Sequence, residues 1–196
     1  MQTGELLIPP GETRTDEALL AAVAGGDETS FRVLMARFKK PILNYIYHYV
    51  RDAGWAEDLA QDVFVKIYRK AGSFKPENKF AVWLFQIARN RAIDFLRTRK
   101  SEGRAMAEMQ SDSGDIGRPS KRPVSHMIKR EDEDHLHDAL GELPEHYRDV
   151  LVLCDLNDLS YEAAGQIVDT PAKTISSRLY RARNALRKKF APFIKS

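Results

Sequence analysis

The sequence predicts an all-α protein, two small helical bundles joined by a flexible linker. Three observations carry that expectation. Apolar residues recur at three- and four-residue spacing through most of the chain, and no stretch alternates as a strand would. One segment, from about Ser101 to Arg130, breaks the pattern with Ser111-Asp112-Ser113-Gly114, Arg118-Pro119 and Arg122-Pro123. A length of 196 residues allows one large or two small domains, so each side of that break forms a bundle with a modest core.

Residues 1–14 read as a loose N-terminal extension, since Leu6-Leu7-Ile8 stops at Pro9-Pro10 and lacks the form of a signal peptide. Residues 16–25 form the first helix, with Ala18, Leu19, Ala22 and Val23 apolar and Gly25-Gly26 closing it. Ser30 to about Val50 carries Phe31, Leu34, Met35, Phe38, Ile42, Tyr45, Ile46 and Tyr49, with Pro41 a kink or boundary. Trp55 to Lys70 turns Leu59, Val63, Phe64 and Ile67 inward and ends at Gly72. Lys79 to Arg99 has Phe80, Trp83, Leu84, Ile87, Ala88 and Leu96 apolar, and Trp83 is assigned to the core because Ile87 continues its face. These helices make a first domain over 15–100, followed by a linker over 101–130. In the second domain, 131–196, Leu136, Leu140 and Leu143 lead to Pro144, and the next helix carries Tyr147, Val150, Leu151 and Cys154.

The end of the chain reads as a helix-turn-helix. Ser160 is a good N-cap, and Tyr161, Ala164, Ile167 and Val168 share one helical face. Gly165 leaves room for a close crossing, and Asp169-Thr170-Pro171 breaks the helix, with Thr170 capping and Pro171 at the first position of the next. There Ile175, Leu179, Ala182 and Leu186 form a stripe, with Lys173, Ser177, Tyr180, Arg181 and Asn184 opposite. From Lys173 to Ser196 there are eight Lys or Arg and no acid; from Glu131 to Asp169 there are twelve acids and one Arg. That reversal suits a second helix facing a polyanion, most simply nucleic acid, entering the major groove N-terminus first.

Composition excludes several classes. Apolar content of 43%, charged content of 30% and a net charge of +3 describe a soluble protein that must bind nucleic acid through local patches. The single cysteine, Cys154, cannot form an internal disulfide, which fits a reducing cytoplasm. No apolar run reaches the ~20 residues that span a membrane, so no membrane insertion is expected. His135 and His137 diverge on a helix, and there is no glycine-rich phosphate loop or HExxH, so no catalytic residue, metal or cofactor is expected.

Four blocks, AEDLAQDVFVKIY (Ala56–Tyr68), FAVWLFQIARNRAIDFLR (Phe80–Arg97), LPEHYRDVLVL (Leu143–Leu153) and the helix-turn-helix, follow in order around the linker. Together they resemble the bacterial RNA polymerase sigma factors of the extracytoplasmic-function (ECF, group 4) type in the sigma-70 family, over roughly 16–100 and 131–192. The resemblance implies that 15–100 is region 2, which binds core polymerase and recognises and melts the −10 element, and that 131–196 is region 4, which reads the −35 element. It implies as partners promoter DNA, the β′ coiled coil and β flap of core RNA polymerase, and an anti-sigma protein.

Each implied role can be set beside the local chemistry. Glu57, Asp58, Gln61 and Asp62 would dock on the Arg-rich β′ coiled coil; Glu57 and Asp58 would also suit a helix N-terminus through its dipole. Lys75, Asn78 and Lys79 on a loop, with Gln86, Arg89, Asn90 and Arg97 on the following helix, would contact the −10 element, where flipped bases and a displaced backbone need polar and cationic groups. Arg97, Arg99, Lys100 and Arg104 suit phosphates. Pro171, Lys173, Thr174, Ser176, Ser177, Arg178, Tyr180 and Arg181 would contact the −35 element, Arg178 and Arg183 through phosphates or as salt bridges to the acidic helices. The chain departs from the family at Lys173, often Gly, at Ser176, often basic, and at Ala163, often Glu, so base preference does not carry over. The alternative, a helix-turn-helix regulator that is not a polymerase subunit, needs a sensing or dimerising domain that Ala56–Arg97 does not resemble.

Overall fold

The computed structural model describes residues 12–109 and 139–190, and every regular element among them is helical. The extension up to residue 11, the segment 110–138 with Leu136, His135 and His137, and residues 191–196 lie outside the described residues.

Short polar caps set the helix starts. Thr15 accepts the Ala18 N–H and opens α1, Asp16–Ala24; Asp27 accepts from Thr29 and Ser30 and opens α2, Glu28–Val50; Asp52 accepts from Trp55 and opens α3, Ala53–Lys70. Between α1 and α2 the backbone turns at Gly26, whose φ of 94° is a region that side chains avoid. Pro41 is no boundary: α2 runs through it. After a 3-10 turn at Ala71–Ser73, α4 spans Phe80–Met109. It therefore continues into the segment read from sequence as linker. Ala105, Met106 and Ala107 are strong helix formers, and no proline stands between Pro76 and Pro119.

The first bundle buries Leu19, Leu20 and Val23 from α1 against α2, α3 and α4. Ala18, assigned to that apolar face, is exposed, and Leu20 takes its place. Tyr45 meets Phe85 edge-on at 5.3 Å, and Phe38 meets Phe80 at the same distance. Leu96, also read as apolar core, is 41% exposed, because the apolar stripe of α4 outlasts the neighbours that cover it.

The second bundle comprises α5, Glu145–Cys154, α6, Tyr161–Val168, and α7, Ala172–Phe190. In α5 the five consecutive residues from Asp149 to Leu153 are all buried. One helical face cannot hold five in a row, so α5 is covered on more than one side. It packs against α6 and α7 and also against α2, while α6 lies on α4. The second bundle thus rests on the first. Arg148 ties the contact together, donating to the carbonyls of Leu140, Gly141 and Leu143 and, across the boundary, to His48 O at 2.9 Å. No described helix is long and apolar enough to cross a membrane.

Candidate nucleic-acid interface

The helix-turn-helix is built from local rules. Ser160 accepts the Ala163 N–H at 3.2 Å, and Asp169 ends α6 in the left-handed conformation, φ 51°, which Asp tolerates better than most residues. The Thr170 N–H then donates to Gly165 O at 2.9 Å. A Cβ at Gly165 would stand 2.4 Å from Thr170 O, so the close approach comes from the turn's own carbonyl. Helix α7 begins one residue later than the sequence suggested. Pro171 O receives the N–H groups of Thr174 and Ile175, and the Thr170 hydroxyl donates back to Val168 O rather than capping. That hydroxyl also accepts from Arg178 at 3.3 Å, which engages an arginine expected at DNA within the turn.

Ile175, Leu179 and Ala182 pack inward, and the opposite side of α7 is open. Lys173, Ser176, Ser177, Tyr180 and Arg181 are exposed there, Tyr180 at 70%; Pro171 is exposed and Thr174 half-buried at the helix start. Together with Tyr161, Glu162 and Ala172 the open side lines a groove between α6 and α7. Tyr161 was expected inside. It is exposed because the buried arc of α6 centres on Ala163, Ala164 and Ile167, leaving Tyr161 over the groove. Arg183 lies away from this face in a two-pronged pair with Asp155, at 2.5 and 2.9 Å.

In the first bundle, Phe74 sits on Trp83 at 5.2 Å and on Phe80 at 6.4 Å, anchoring the loop that exposes Lys75, Asn78 and Lys79. The start of α4 is fixed by α1, since Glu17 Oε1 accepts the Phe80 N–H at 2.9 Å. A pair 63 residues apart leaves no local sequence signal. Along α4, Asn90 and Arg97 are exposed, Arg97 within 3.8 Å of Asp94. Arg99 lies 5.6 Å over the Trp55 ring and 5.8 Å over Phe95, which fixes its guanidinium at the surface.

Gln86 and Arg89 face the second bundle. Gln86 Nε2 donates to Gln166 O at 2.8 Å. Arg89 lies 3.5 Å from both Glu145 and Asp149. Asp149 is buried and accepts from the Tyr49 hydroxyl, which itself lies 3.1 Å from the Tyr45 hydroxyl. Burial pushes the Asp149 carboxyl up, opposed by the Tyr49 hydrogen bond and the Arg89 charge. Burial, followed by the Asp149 charge, pushes the Tyr49 phenol up, so it remains a donor.

A third surface lies on α3, where Glu57, Asp58, Gln61 and Asp62 are all exposed. None of the acids falls in the first turn, because α3 already starts at Ala53 under the Asp52 cap. A helix-dipole role therefore does not account for Glu57 and Asp58. Asp62 accepts from Arg91 Nε and Nη2 at 3.0 and 2.8 Å, a partner the sequence did not reveal. Val65 and Tyr68 extend the same exposed side with apolar surface.

Comparison with known proteins places these surfaces in a family context. The sigma-70 region 2 model matches residues 34–102, and the sigma-70 region 4 model matches residues 134–186. The chain is 32% identical over 189 residues to the RNA polymerase sigma-H factor of Pseudomonas aeruginosa, covering 92% of this chain and 96% of that one. It is 32% identical over 189 residues to the ECF RNA polymerase sigma-E factor of Escherichia coli (strain K12), covering 94% and 98%. Among solved structures it resembles the sigma factor RpoE in complex with the anti-sigma factor NepR from Bartonella quintana, with a TM-score of 0.62 and 27% identity over 82% of this chain and 96% of that one. CnrH in complex with the cytosolic domain of CnrY gives a TM-score of 0.68 at 22% identity over 91% and 99%, which speaks to the fold alone.

Proposed function

The chain belongs to the extracytoplasmic-function sigma factors of the sigma-70 family, and on that premise we propose how its three surfaces divide the work of promoter-specific initiation. The exposed side of α3 docks on core RNA polymerase: Glu57, Asp58 and Gln61 present acidic and amide groups to a basic partner, the β′ coiled coil, with the β flap holding the second bundle. The loop bearing Lys75, Asn78 and Lys79 and the helix bearing Gln86, Arg89, Asn90 and Arg97 recognise and open the −10 element. The open side of α7 reads the −35 element.

The observation that supports this division best is the contrast between the two faces of α7. Ile175, Leu179 and Ala182 are buried, whereas the side chains opposite them are donors and cations held off the core. Lys173, Ser176, Ser177 and Tyr180 are placed to meet base edges, and Arg181 to meet phosphate. Region 2 over 15–100 and region 4 over 131–196, joined by 101–130, would then be held at promoter spacing by core enzyme, and the linker supplies effective concentration for the second contact. The likeness to RpoE bound to NepR supports control by an anti-sigma protein. A protein that acts on chromosomal promoters would work in the cytoplasm.

The test is reconstitution with core polymerase on genomic fragments, followed by mapping of transcript 5′ ends. A stable complex with starts downstream of a shared pair of elements supports the reading. Absence of a complex, or a complex without specific starts, overturns it.

A further inference from the structure

Helix α4 begins without a local cap. Lys79 O accepts the Trp83 N–H at 3.2 Å, so Lys79 stands at the capping position, where its side chain carries donors only. No acid stands in the first turn of α4. The acceptor comes instead from α1, whose half-buried Glu17 receives the Phe80 N–H on Oε1 at 2.9 Å. A cap supplied from outside leaves the Lys79 side chain exposed beside Lys75 and Asn78. The Glu17 carboxylate also offsets the positive end of the α4 dipole, where a lysine is otherwise unfavourable.

The rest of the loop is fixed around that bond. The Asn78 N–H donates to Lys75 O at 3.0 Å and closes a turn with Pro76 in its second place, which suits the fixed φ of proline. Phe74 holds the other end through Trp83 and Phe80. Helix α1 packs against both ends of the loop, the 3-10 turn at Ala71–Ser73 and α4. It is itself held in place. Arg37 of α2 donates to Asp16 Oδ1 at 2.6 Å and to Arg14 O at 3.1 Å, and Arg14 donates to Ser30 Oγ at 3.0 Å. Glu17 is therefore an acceptor on a braced helix, bonded to the residue where the loop ends and α4 starts.

We propose that Glu17 is a positioning residue for −10 recognition, setting where α4 starts and so where Lys75, Asn78 and Lys79 meet the bases. The proposal rests on the assignment of that loop to the −10 element. Glu17 acts through the Phe80 backbone and touches no DNA. Lys79 is the adjacent residue, so a shift of the Phe80 N–H carries it along, and misplacement of contacting groups by about 1 Å can cost about a hundredfold.

The test uses holoenzyme reconstituted from core polymerase and the full chain. The reading is the ratio of initiation on a mapped promoter to initiation on the same promoter with a scrambled −10 element. Glu17→Ala removes the acceptor. Glu17→Asp keeps the charge but is one methylene shorter, and Glu17→Gln keeps the reach and an acceptor oxygen but loses the charge. Thr15→Ala removes the cap of α1 without touching the loop, and so controls for a weakened α1. Thermal melts confirm that each is folded; if Glu17→Ala is not, the contrast between Glu17→Asp and Glu17→Gln carries the test. Glu17→Ala and Glu17→Asp should lower the ratio about tenfold with core affinity unchanged, while Glu17→Gln and Thr15→Ala keep it near that of the unaltered chain. An unchanged ratio in Glu17→Ala and Glu17→Asp overturns the proposal. So does an equal fall in Thr15→Ala, which would make the role one of stability, or a fall in Glu17→Gln as large as in Glu17→Asp. The unaltered chain is measured in parallel. Equal initiation on both promoters by that chain overturns the −10 reading itself, whereas discrimination that survives loss of the Glu17 acceptor overturns positioning by Glu17 alone.

Discussion

Asp149 of α5 stands 3.5 Å from Arg89 of α4, so the helix assigned to promoter opening has a cation turned toward the half assigned to upstream recognition. The two bundles are therefore more than beads on a linker. Arg148, the neighbour of Asp149, adds a second crossing by donating to His48 O, so adjacent residues of α5 secure both α2 and α4.

Gly165→Ala should destabilise the second bundle by about 1–3 kcal/mol, because the new Cβ would meet a backbone carbonyl, Thr170 O, at 2.4 Å. Urea denaturation of the full chain measures it. A change within about 0.5 kcal/mol, the usual range at an exposed site, would show that the turn relaxes without cost.

Asp58→Lys should weaken binding to core polymerase by about tenfold or more, since a reversed charge then faces a basic partner. Asp62 is the poorer probe, because it already pairs with Arg91 and its loss perturbs α4. Competition binding with labelled core enzyme reads the effect. Unchanged affinity in Asp58→Lys would remove α3 from the docking surface.

Ser176→Ala and Tyr180→Ala should lower promoter-specific initiation while leaving core binding intact. Tyr180 is 70% exposed, so its truncation should change stability by less than about 0.5 kcal/mol. Loss of a specific base contact is worth about 1–3 kcal/mol of discrimination, read as the ratio of initiation on the cognate and a scrambled −35 element. An unaltered ratio in both variants would move base reading elsewhere on α7.

Cys154 should be a poor nucleophile. Burial first and the Asp155 charge second push its thiol up to about 11. A raised value keeps the group protonated below that pH, so alkylation by iodoacetamide at pH 8 should run about a hundredfold slower than for free cysteine. Labelling at the free-cysteine rate would contradict this.

The parts of the fold legible in the sequence are those governed by neighbours a few residues apart. The Ser160 cap and the stripe through Ile175, Leu179 and Ala182 follow from spacing and residue chemistry, and so does the need for a small residue at Gly165, though the atom that requires it is Thr170 O of the turn rather than a crossing helix. Periodicity gives an apolar face but not what covers it, which is why Leu96 and Tyr161 were assigned inside and prove exposed. The carboxylate of Asp149 reads as a solvated helix charge until Tyr49, 100 residues away, is brought against it. Glu17 capping α4 and Arg91 holding Asp62 were hidden for the same reason. Glu57, Asp58, Gln61 and Asp62 on α3 and Lys173, Ser176, Ser177, Tyr180 and Arg181 on α7 are exposed, whereas Thr174 and Arg178 are half-buried, and the sequence carried no sign that Gln86 and Arg89 face the second bundle.

We infer that this chain opens promoter DNA only as part of a polymerase, reading two elements at once. Footprinting of a mapped promoter with permanganate and a nuclease, with core enzyme alone, the protein alone and both together, tests it most directly. Unpaired thymines in the −10 element together with protection over the −35 element are expected only when both are present. Equal protection by the protein alone, or protection with core enzyme but no unpaired thymines, would contradict it.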